Sequence, residues 1–175
     1  MKLSFSRKIP DGDTHERAVC NTCGHVAYDN PKIVAGAVVR FGDHILLCKR
    51  AINPSRGLWT LPAGYLEHGE TPPEGAAREA FEEATAHVRI GALLAVYTVR
   101  RLGQIQLIYR ATLDRAAFAP GLESEACALF HEDDLPVDNL AFPTVRWALT
   151  QEREAGGPFA NPNGVEGAPI PLGAP

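Results

Sequence analysis

The sequence has few cysteines, little net charge and no long hydrophobic run. Its four cysteines make a weak disulfide framework for a chain of 175 residues, and reduced thiols are typical of cytosolic proteins. No apolar run approaches the roughly 20 residues that span a bilayer, so we expect no membrane contact. The N-terminal stretch "MKLSFSRKIPDGD" lacks the apolar core of a secretory signal, so we expect a cytoplasmic protein.

The formal net charge of −4 excludes a general basic surface for binding nucleic acid. Length and mixed composition fit one globular domain with a real core. We predict a short N-terminal segment at residues 1–32, a domain at residues 33–154 and a tail at residues 155–175. The tail is rich in glycine and proline and nearly uncharged, so it cannot bury enough surface to fold independently.

The hydrophobic pattern of the domain predicts a sheet followed by a terminal helix. Short β-branched runs between turn residues are typical of strands, and apolar residues at helical spacing near the end indicate an amphipathic helix. The predicted strands lie within residues 32–41, 44–50, 57–64, 88–99 and 104–113, and the predicted helix lies within residues 142–154.

The stretch "GYLEHGETPPEGAAREAFEEATAHV" (residues 64–88) contains six carboxylates but only one permanent cation, Arg78. Its "TPPE" is a capping box in which Thr71 caps the helix and Glu74 folds back. Pro72 suits the first helical position. We therefore predict that a helix begins near residue 72.

This start determines which side chains share a face of the helix. We expect an apolar stripe to pack on the sheet and the other side to carry carboxylates. The stripe contains Ala77, Ala80, Phe81 and Ala84, and the acidic side contains Glu79, Glu82 and Glu83.

The acidic side allows two interpretations. Solvated surface charges are the usual explanation for such a face. Arg78 can pair with Glu74 and Glu82, but Glu79 and Glu83 face each other without a dependable cation. Glycines in the preceding loop could bring main-chain carbonyls beside these carboxylates. Oxygen ligands of this kind suit Mg²⁺ or Mn²⁺, so the missing cation would be a metal ion.

The arrangement resembles the signature of the Nudix hydrolase superfamily. That signature is Gly, five residues, Glu, seven residues, Arg-Glu, an apolar residue, any residue and Glu-Glu. Here it is formed by Gly64, Glu70, Arg78, Glu79, Ala80, Glu82 and Glu83. The chain departs at the end, where Thr85 and Ala86 replace the usual glycine and aliphatic residue. The resemblance implies an α/β Nudix fold, with a mixed β-sheet sandwiched between α-helices, and a metal-dependent diphosphatase.

Other segments resemble the branch of plant FAD and ADP-ribose diphosphatases and their bacterial relatives. They are "IPDGDTHERAVCNTCGHVAYDNPKIVAGAVV", "LLCKRAINPSRGLWTLPAGYLEHGE", "FAPGLESEACALF" and "DNLAF". The branch implies cleavage of ADP-ribose or FAD to AMP with ribose 5-phosphate or FMN. The Ser-Gln-Pro-Trp-Pro-Phe-Pro string of NADH diphosphatases is absent. Arg101 and Leu102 stand where many ADP-ribose-specific members have proline.

The resemblance also implies a set of metal ligands. Glu79 and Glu83 would bind Mg²⁺ or Mn²⁺ directly, and the carbonyl of Ala63 or Gly64 would contribute. Glu82 would be a further ligand or would orient a water on the metal.

Further roles come from the same resemblance. Arg78 would hold Glu70 and the neighbouring glutamate in place. Another acidic ligand would come from a downstream loop or strand, where the chain offers Glu123 and Glu125. We prefer Glu125 as the catalytic and metal-binding residue because its spacing to Phe130 resembles the family pattern. The general base stays unassigned.

Substrate contacts are expected from Arg50, Trp59 and Glu123. Trp59, together with Tyr97 and Tyr109, could stack on a base or a flavin ring. An aromatic residue in a strand more commonly packs in the core, and that alternative stays open.

Cys20 and Cys23 form one Cys-x-x-Cys knuckle, which is half of a zinc ribbon. Related sequences commonly carry a second such pair upstream, and that pair is missing here. A complete zinc site would need His25, His15 or a second chain. We therefore expect the knuckle to survive as a turn, with zinc as the alternative.

The leading hypothesis is a diphosphatase that acts on a small dinucleotide. The alternatives are an NADH or nucleoside triphosphate pyrophosphatase, a ligand-sensing Nudix domain without turnover, and a zinc-ribbon interaction module. Intact Glu79, Glu82 and Glu83 argue against a domain without turnover. No nucleic-acid partner is expected, and a homodimer stays open.

Overall fold

The computed structural model describes residues 3–154, which divide after Pro31 into two compact units. The first unit is an antiparallel sheet of three short strands in the order β1-β2-β3. These strands are β1 (Phe5–Lys8), β2 (Arg17–Cys20) and β3 (Val26–Ala27). The tail predicted at residues 155–175 lies outside the described residues.

The second unit, as far as residue 154, contains seven strands and two α-helices. The strands are β4 (Lys32–Phe41), β5 (His44–Arg50), β6 (Trp59–Thr60), β7 (Ala63–Tyr65), β8 (Val88–Val99), β9 (Gln104–Leu113) and β10 (Ser124–His131), and the helices are α1 (Pro72–Ala84) and α2 (Pro143–Glu154). The strands predicted within residues 32–41, 44–50, 88–99 and 104–113 and the terminal helix are confirmed. The strand predicted within residues 57–64 is divided into β6 and β7, and β10 was not predicted. None of the helices within residues 3–154 is long and apolar enough to cross a membrane.

The sheet of the second unit is mixed. Its main order is β10-β5-β4-β9-β8, with β6 paired to β5 and β7 paired to β4. The central strands β4 and β9 run parallel, and the other pairs are antiparallel. Side chains alternate between faces, so Val38 packs with Val145 of α2 while Ala37 and Val39 pack with Ala84 of α1. The two helices thus cover opposite faces, and the predicted α/β fold is confirmed.

Helix α1 starts at Pro72 behind the predicted capping box, but its buried side differs from the predicted stripe. The buried positions are Gly75, Ala76, Glu79, Ala80, Glu83 and Ala84. Phe81 is 47% exposed and contacts the His87 ring instead of the sheet, so its predicted packing is wrong. The cause is a rotation of the helix that buries two carboxylates beside the alanines. Hydrophobicity alone cannot reveal such a rotation.

Candidate metal and catalytic site

The turn before α1 holds the start of the helix in place. The backbone N–H of Thr71 donates to the Glu74 carboxylate at 2.7 Å, and the N–H of Gly75 donates to the Thr71 carbonyl at 2.9 Å. Gly69 takes a φ of +91°, which favours glycine, and this allows the chain to turn into the helix. These local contacts determine the direction in which the α1 carboxylates point.

Arg78 is the centre of an ion-pair network on α1. Its guanidinium donates two hydrogen bonds to Glu70, at 2.8 and 3.0 Å, and one to the Tyr65 carbonyl at 3.0 Å. It also donates to Oε1 of Glu79 at 2.8 Å and to Oε2 of Glu82 at 2.9 Å. The charge and hydrogen bonds of Arg78 lower the pKa of Glu70 to about 2. Arg78 therefore links the loop before the helix to two carboxylates of the acidic side.

Glu79 and Glu83 lie on the buried side of α1. Their exposed fractions are 8% and 6%. Burial raises the pKa of Glu79, although Arg78 opposes the shift. Burial, and then the negative charge of Glu79, raise the pKa of Glu83 to about 8, although Arg50 and a hydrogen bond with the Ala63 backbone oppose the shift. Among the described residues, Oε2 of Glu83 is the one buried side-chain polar atom without a hydrogen-bond partner.

Gly64 in β7 lies directly against the carboxylate of Glu79. A Cβ atom at this position would lie 2.3 Å from Oε1 and 2.5 Å from Oε2 of Glu79. Because real Cβ atoms do not approach other atoms so closely, a side chain at this position would force the Glu79 carboxylate to move away. The backbone of β7 is therefore brought beside the acidic side of α1, as a carbonyl ligand would require.

A loop before β10 runs along the end of α1. Gly121 donates its N–H to the Glu83 carbonyl at 2.9 Å, and a Cβ atom on Gly121 would overlap the Glu82 carbonyl oxygen. Two residues later, the negative charge of Glu123 contributes to the raised pKa values of Glu79 and Glu83. No pattern in the sequence predicted a role for Gly121, because a lone glycine in a loop is a weak signal.

Glu125 forms ion pairs with two basic side chains. Its carboxylate pairs with Arg56 at 3.1 Å and with Lys49 at 3.9 Å. The strand register shifts between Ser124 and Ala126, so simple alternation along β10 does not give the direction of the Glu125 side chain. This geometry favours Glu123 over Glu125 as the acidic residue nearest to the α1 carboxylates.

Arg50 lies close enough to Glu83 for its charge to oppose the rise in the pKa of that carboxyl. Its Nε donates to the Pro54 carbonyl at 2.8 Å, and its guanidinium lies 5.1 Å from the centre of the Phe142 ring. A cation held in this way beside acidic groups could contact a phosphate of a substrate.

The three candidate aromatic residues lie in or against the core. Trp59 packs edge-on against Phe130 at 4.8 Å between ring centres. Tyr97 is fully buried, and its hydroxyl donates to Gln151. Tyr109 is half-buried and packs against the core on the α1 side. These contacts match the packing alternative that the sequence left open.

The site is compatible with a divalent metal ion, although it is not a ready-made cage. Within residues 3–154, no three His, Cys, Asp or Glu side chains converge as metal ligands would. Mg²⁺ commonly takes only one or two carboxylates and completes its shell with water and substrate phosphate oxygens. The unpaired buried oxygen of Glu83, the adjacent carboxylate of Glu79 and the close backbone at Gly64 fit such a requirement.

These residues and the mixed sheet are the features of one known family. A sequence model of the NUDIX domain matches residues 30–148, and the chain belongs to this family. A second model, for the zinc-ribbon domain described as Nudix N-terminal, matches residues 3–29.

Individual relatives agree with this assignment. A crystal structure of a NUDIX hydrolase from Nitrosomonas europaea is 41% identical, with a TM-score of 0.83, and covers 90% of this chain and 94% of that chain. A MutT-like protein of Streptomyces ambofaciens is 36% identical over 58% of this chain and 64% of its own length. An ADP-ribose pyrophosphatase of Methanocaldococcus jannaschii is 37% identical over 41% of this chain and 42% of its own length. The chain thus spans less than two thirds of these two curated relatives.

The N-terminal unit retains the backbone of a zinc knuckle with two thiols. Gly24 donates its N–H to the Cys20 carbonyl at 3.0 Å, which closes the turn, and Cys20 is buried while Cys23 is exposed. Within the knuckle, the Asn21 side chain hydrogen-bonds the hydroxyl groups of Ser4 and Ser6. Polar side chains, and not a second cysteine pair, therefore connect β1 to the knuckle.

Proposed function

We propose that this protein hydrolyses the diphosphate bond of nucleoside diphosphate derivatives with a divalent metal ion. The proposed substrates are ADP-ribose and FAD, and the products are AMP with ribose 5-phosphate or FMN. The observation that carries this proposal is the unpaired, buried Oε2 of Glu83 beside Glu79. Arg78 pairs with one oxygen of Glu79, but the buried Oε2 of Glu83 has no partner. An unpaired oxygen on a buried carboxylate is costly, and a metal ion would supply the missing positive charge.

Glu79 and Glu83 are the proposed direct ligands, with the Ala63 or Gly64 carbonyl as a backbone ligand. Glu82 is exposed on the same helix and would be a further ligand or would orient the attacking water. A bound Mg²⁺ or Mn²⁺ ion would neutralise the diphosphate and help to generate the nucleophile. The roles that we propose for Arg78, which restrains two carboxylates, and for Arg50, which contacts a phosphate, do not depend on a bound metal ion.

Arg78 holds Oε1 of Glu79 and Oε2 of Glu82 through charge-assisted hydrogen bonds. This restrains both side chains before a substrate arrives. Arg50 is the proposed contact for a phosphate oxygen because its guanidinium is already aligned by Pro54 and Phe142. The diphosphate would therefore lie between Arg50 and the acidic side of α1.

Glu123 is the proposed acidic residue of the downstream loop. It is electrostatically close to both proposed ligands, whereas Glu125 is neutralised by Arg56. A carboxylate at this place could accept a proton from the attacking water. Glu125 would instead help to hold Arg56 at the surface.

The relative named as an ADP-ribose pyrophosphatase supports ADP-ribose as one substrate. The resemblance to FAD and ADP-ribose diphosphatases supports both proposed substrates. We propose that water attacks phosphorus, because a divalent ion held by these carboxylates would help to generate a water-derived nucleophile.

The test is a substrate panel of ADP-ribose, FAD, NADH and ATP, with Mg²⁺ or Mn²⁺, in ¹⁸O-water. We expect AMP from ADP-ribose or FAD, with the ¹⁸O label in a product phosphate. Glu83→Gln serves as the control that keeps side-chain size, and its turnover should fall by orders of magnitude. Turnover confined to ATP or NADH, label on the ribose carbon, or tight binding without turnover would each contradict the proposal.

A further inference from the structure

The residue that follows α1 has an unusual backbone conformation. Thr85 takes a φ of +47° and a ψ of +23°, in the left-handed region. Branching at Cβ makes this region unfavourable for threonine, and helix ends of this kind commonly carry glycine. The N–H of Thr85 still donates to the Phe81 carbonyl at 2.7 Å, so the helix ends in a normal cap. Something other than capping must favour threonine here.

The Thr85 side chain makes two hydrogen bonds to a single residue of the loop before β10. Its Oγ1 accepts the N–H of Ala119 at 2.9 Å and donates to the Ala119 carbonyl at 3.2 Å. The same Ala119 N–H also lies 2.9 Å from the Ala84 carbonyl. Glycine would suit the backbone but would make neither side-chain contact. The hydroxyl of Thr85 thus clamps Ala119 to the end of α1.

The clamped loop leads directly to Glu123. After Ala119, Gly121 bonds the Glu83 carbonyl, and a turn follows in which Ser124 donates its N–H to the Gly121 carbonyl at 3.2 Å. On the far side, Ala51 donates its N–H to the Glu123 carbonyl at 2.8 Å. The backbone that carries Glu123 is therefore held at both ends.

We propose that Thr85 is a positioning residue that acts through this loop to place the Glu123 carboxylate beside Glu79 and Glu83. The inference rests on the proposed function because Glu123 is taken there as part of the site. The Thr85 side chain hydrogen-bonds Ala119 and neither Glu79 nor Glu83. Its hydroxyl offsets an unfavourable backbone conformation with two contacts that hold the loop.

The test compares Thr85→Gly, which relieves the backbone but removes the hydroxyl, with Thr85→Ser, which keeps the hydroxyl. Partners that orient a metal site typically affect affinity or activity by about 10–100-fold, so we expect Thr85→Gly to lower turnover by about tenfold. Thr85→Ser should restore most of that turnover. The Mn²⁺ affinity of the protein alone, measured by electron paramagnetic resonance, should fall for Thr85→Gly and recover for Thr85→Ser.

A double-mutant cycle with Glu123→Gln separates positioning from general stability. If Thr85 acts through Glu123, Thr85→Gly should cause little further loss of turnover or Mn²⁺ affinity in that background. An undiminished further loss, or wild-type turnover and Mn²⁺ affinity in Thr85→Gly alone, would overturn the inference. If Thr85→Gly does not fold, Thr85→Ala replaces it, and loss of the fold in both would show a purely structural role.

The Mn²⁺ measurement also separates this inference from the proposed function. If the wild-type protein cleaves none of the dinucleotides, the proposed function fails. The Mn²⁺ affinities of the Thr85 variants would still decide the positioning role.

Discussion

Removing the charge of Glu83 with the substitution Glu83→Gln should change how the stability of the protein depends on pH. Burial and the charge of Glu79 raise the pKa of the Glu83 carboxyl from an ordinary value of 4.5 to about 8. The unfolded chain has the ordinary value. Between these two values the folded protein binds a proton that the unfolded chain has lost, so the free energy of unfolding falls as the pH rises.

The size of the change in the free energy of unfolding follows from the one proton that the folded protein binds and the unfolded chain does not. A full difference of one proton gives a slope of about 1.4 kcal/mol per pH unit. Because the slope weakens as the folded carboxyl titrates, the loss between pH 6 and pH 8 is on the order of 2 kcal/mol. The glutamine variant has no titrating group at this position, so it should lack this part of the slope.

The assay is urea unfolding of the wild type and of Glu83→Gln in EDTA at several pH values between 6 and 8. The informative quantity is the difference between the two free energies of unfolding, because histidines contribute equally to both proteins. Glu82→Gln is the matched control, since it removes an exposed carboxylate from the same helix and should keep the wild-type slope. Equal slopes for the wild type and Glu83→Gln would refute the reasoning.

A divalent metal ion should reverse the loss of stability at high pH, because it binds the ionised carboxylate. Mg²⁺ at 100 times its dissociation constant should stabilise the wild type by about 2.7 kcal/mol at pH 8. Glu83→Gln should gain much less. An equal gain in both proteins would exclude Glu83 from the metal site.

Three further substitutions test other parts of the site. Glu123→Gln should lower the turnover of ADP-ribose far more than Glu125→Gln does, because the charge of Glu123 acts on both α1 carboxylates whereas Glu125 pairs with Arg56 and Lys49. The reverse order would restore the sequence-based preference. Gly64→Ala should abolish most turnover, since its Cβ would lie 2.3 Å from Oε1 of Glu79 and would displace that carboxylate. Near-normal kinetics would show that Glu79 need not keep its position for the reaction. Cys20→Ser with Cys23→Ser should leave most activity, whereas stoichiometric zinc in the wild type and unfolding on chelation would contradict that expectation.

Local signals in the sequence predicted both α-helices and most strands of the second unit, but not β10. The capping box places the start of α1 at Pro72 because its interactions join residues only three positions apart. Strands β8 and β9 were predictable from their β-branched runs and the turn between them. These features depend on neighbours in the chain, so they can be predicted without knowledge of the tertiary structure.

The buried side of α1 could not be predicted from hydrophobicity. An apolar stripe suggested that Phe81 packs inward, yet Glu79 and Glu83 occupy that side and Phe81 is exposed. The reason is that the sheet, β7 and the Gly121 loop together enclose the carboxylates. A site that must hold charge away from water breaks the usual rule of apolar burial.

The sequence by itself determined the family signature, the two α-helices and four of the longer strands, and the set of carboxylates from which a metal site could be built. Only the tertiary structure decided which carboxylates approach one another. The Glu125 carboxylate pairs with Arg56 next to a shift in the register of β10, while the loop that leads to Glu123 is bonded to the end of α1 through Thr85 and Glu83. The physical reason is the separation along the chain of the residues that interact. Helix caps and strand patterns depend on neighbouring residues, whereas this site is assembled by contacts between segments that are far apart in the sequence.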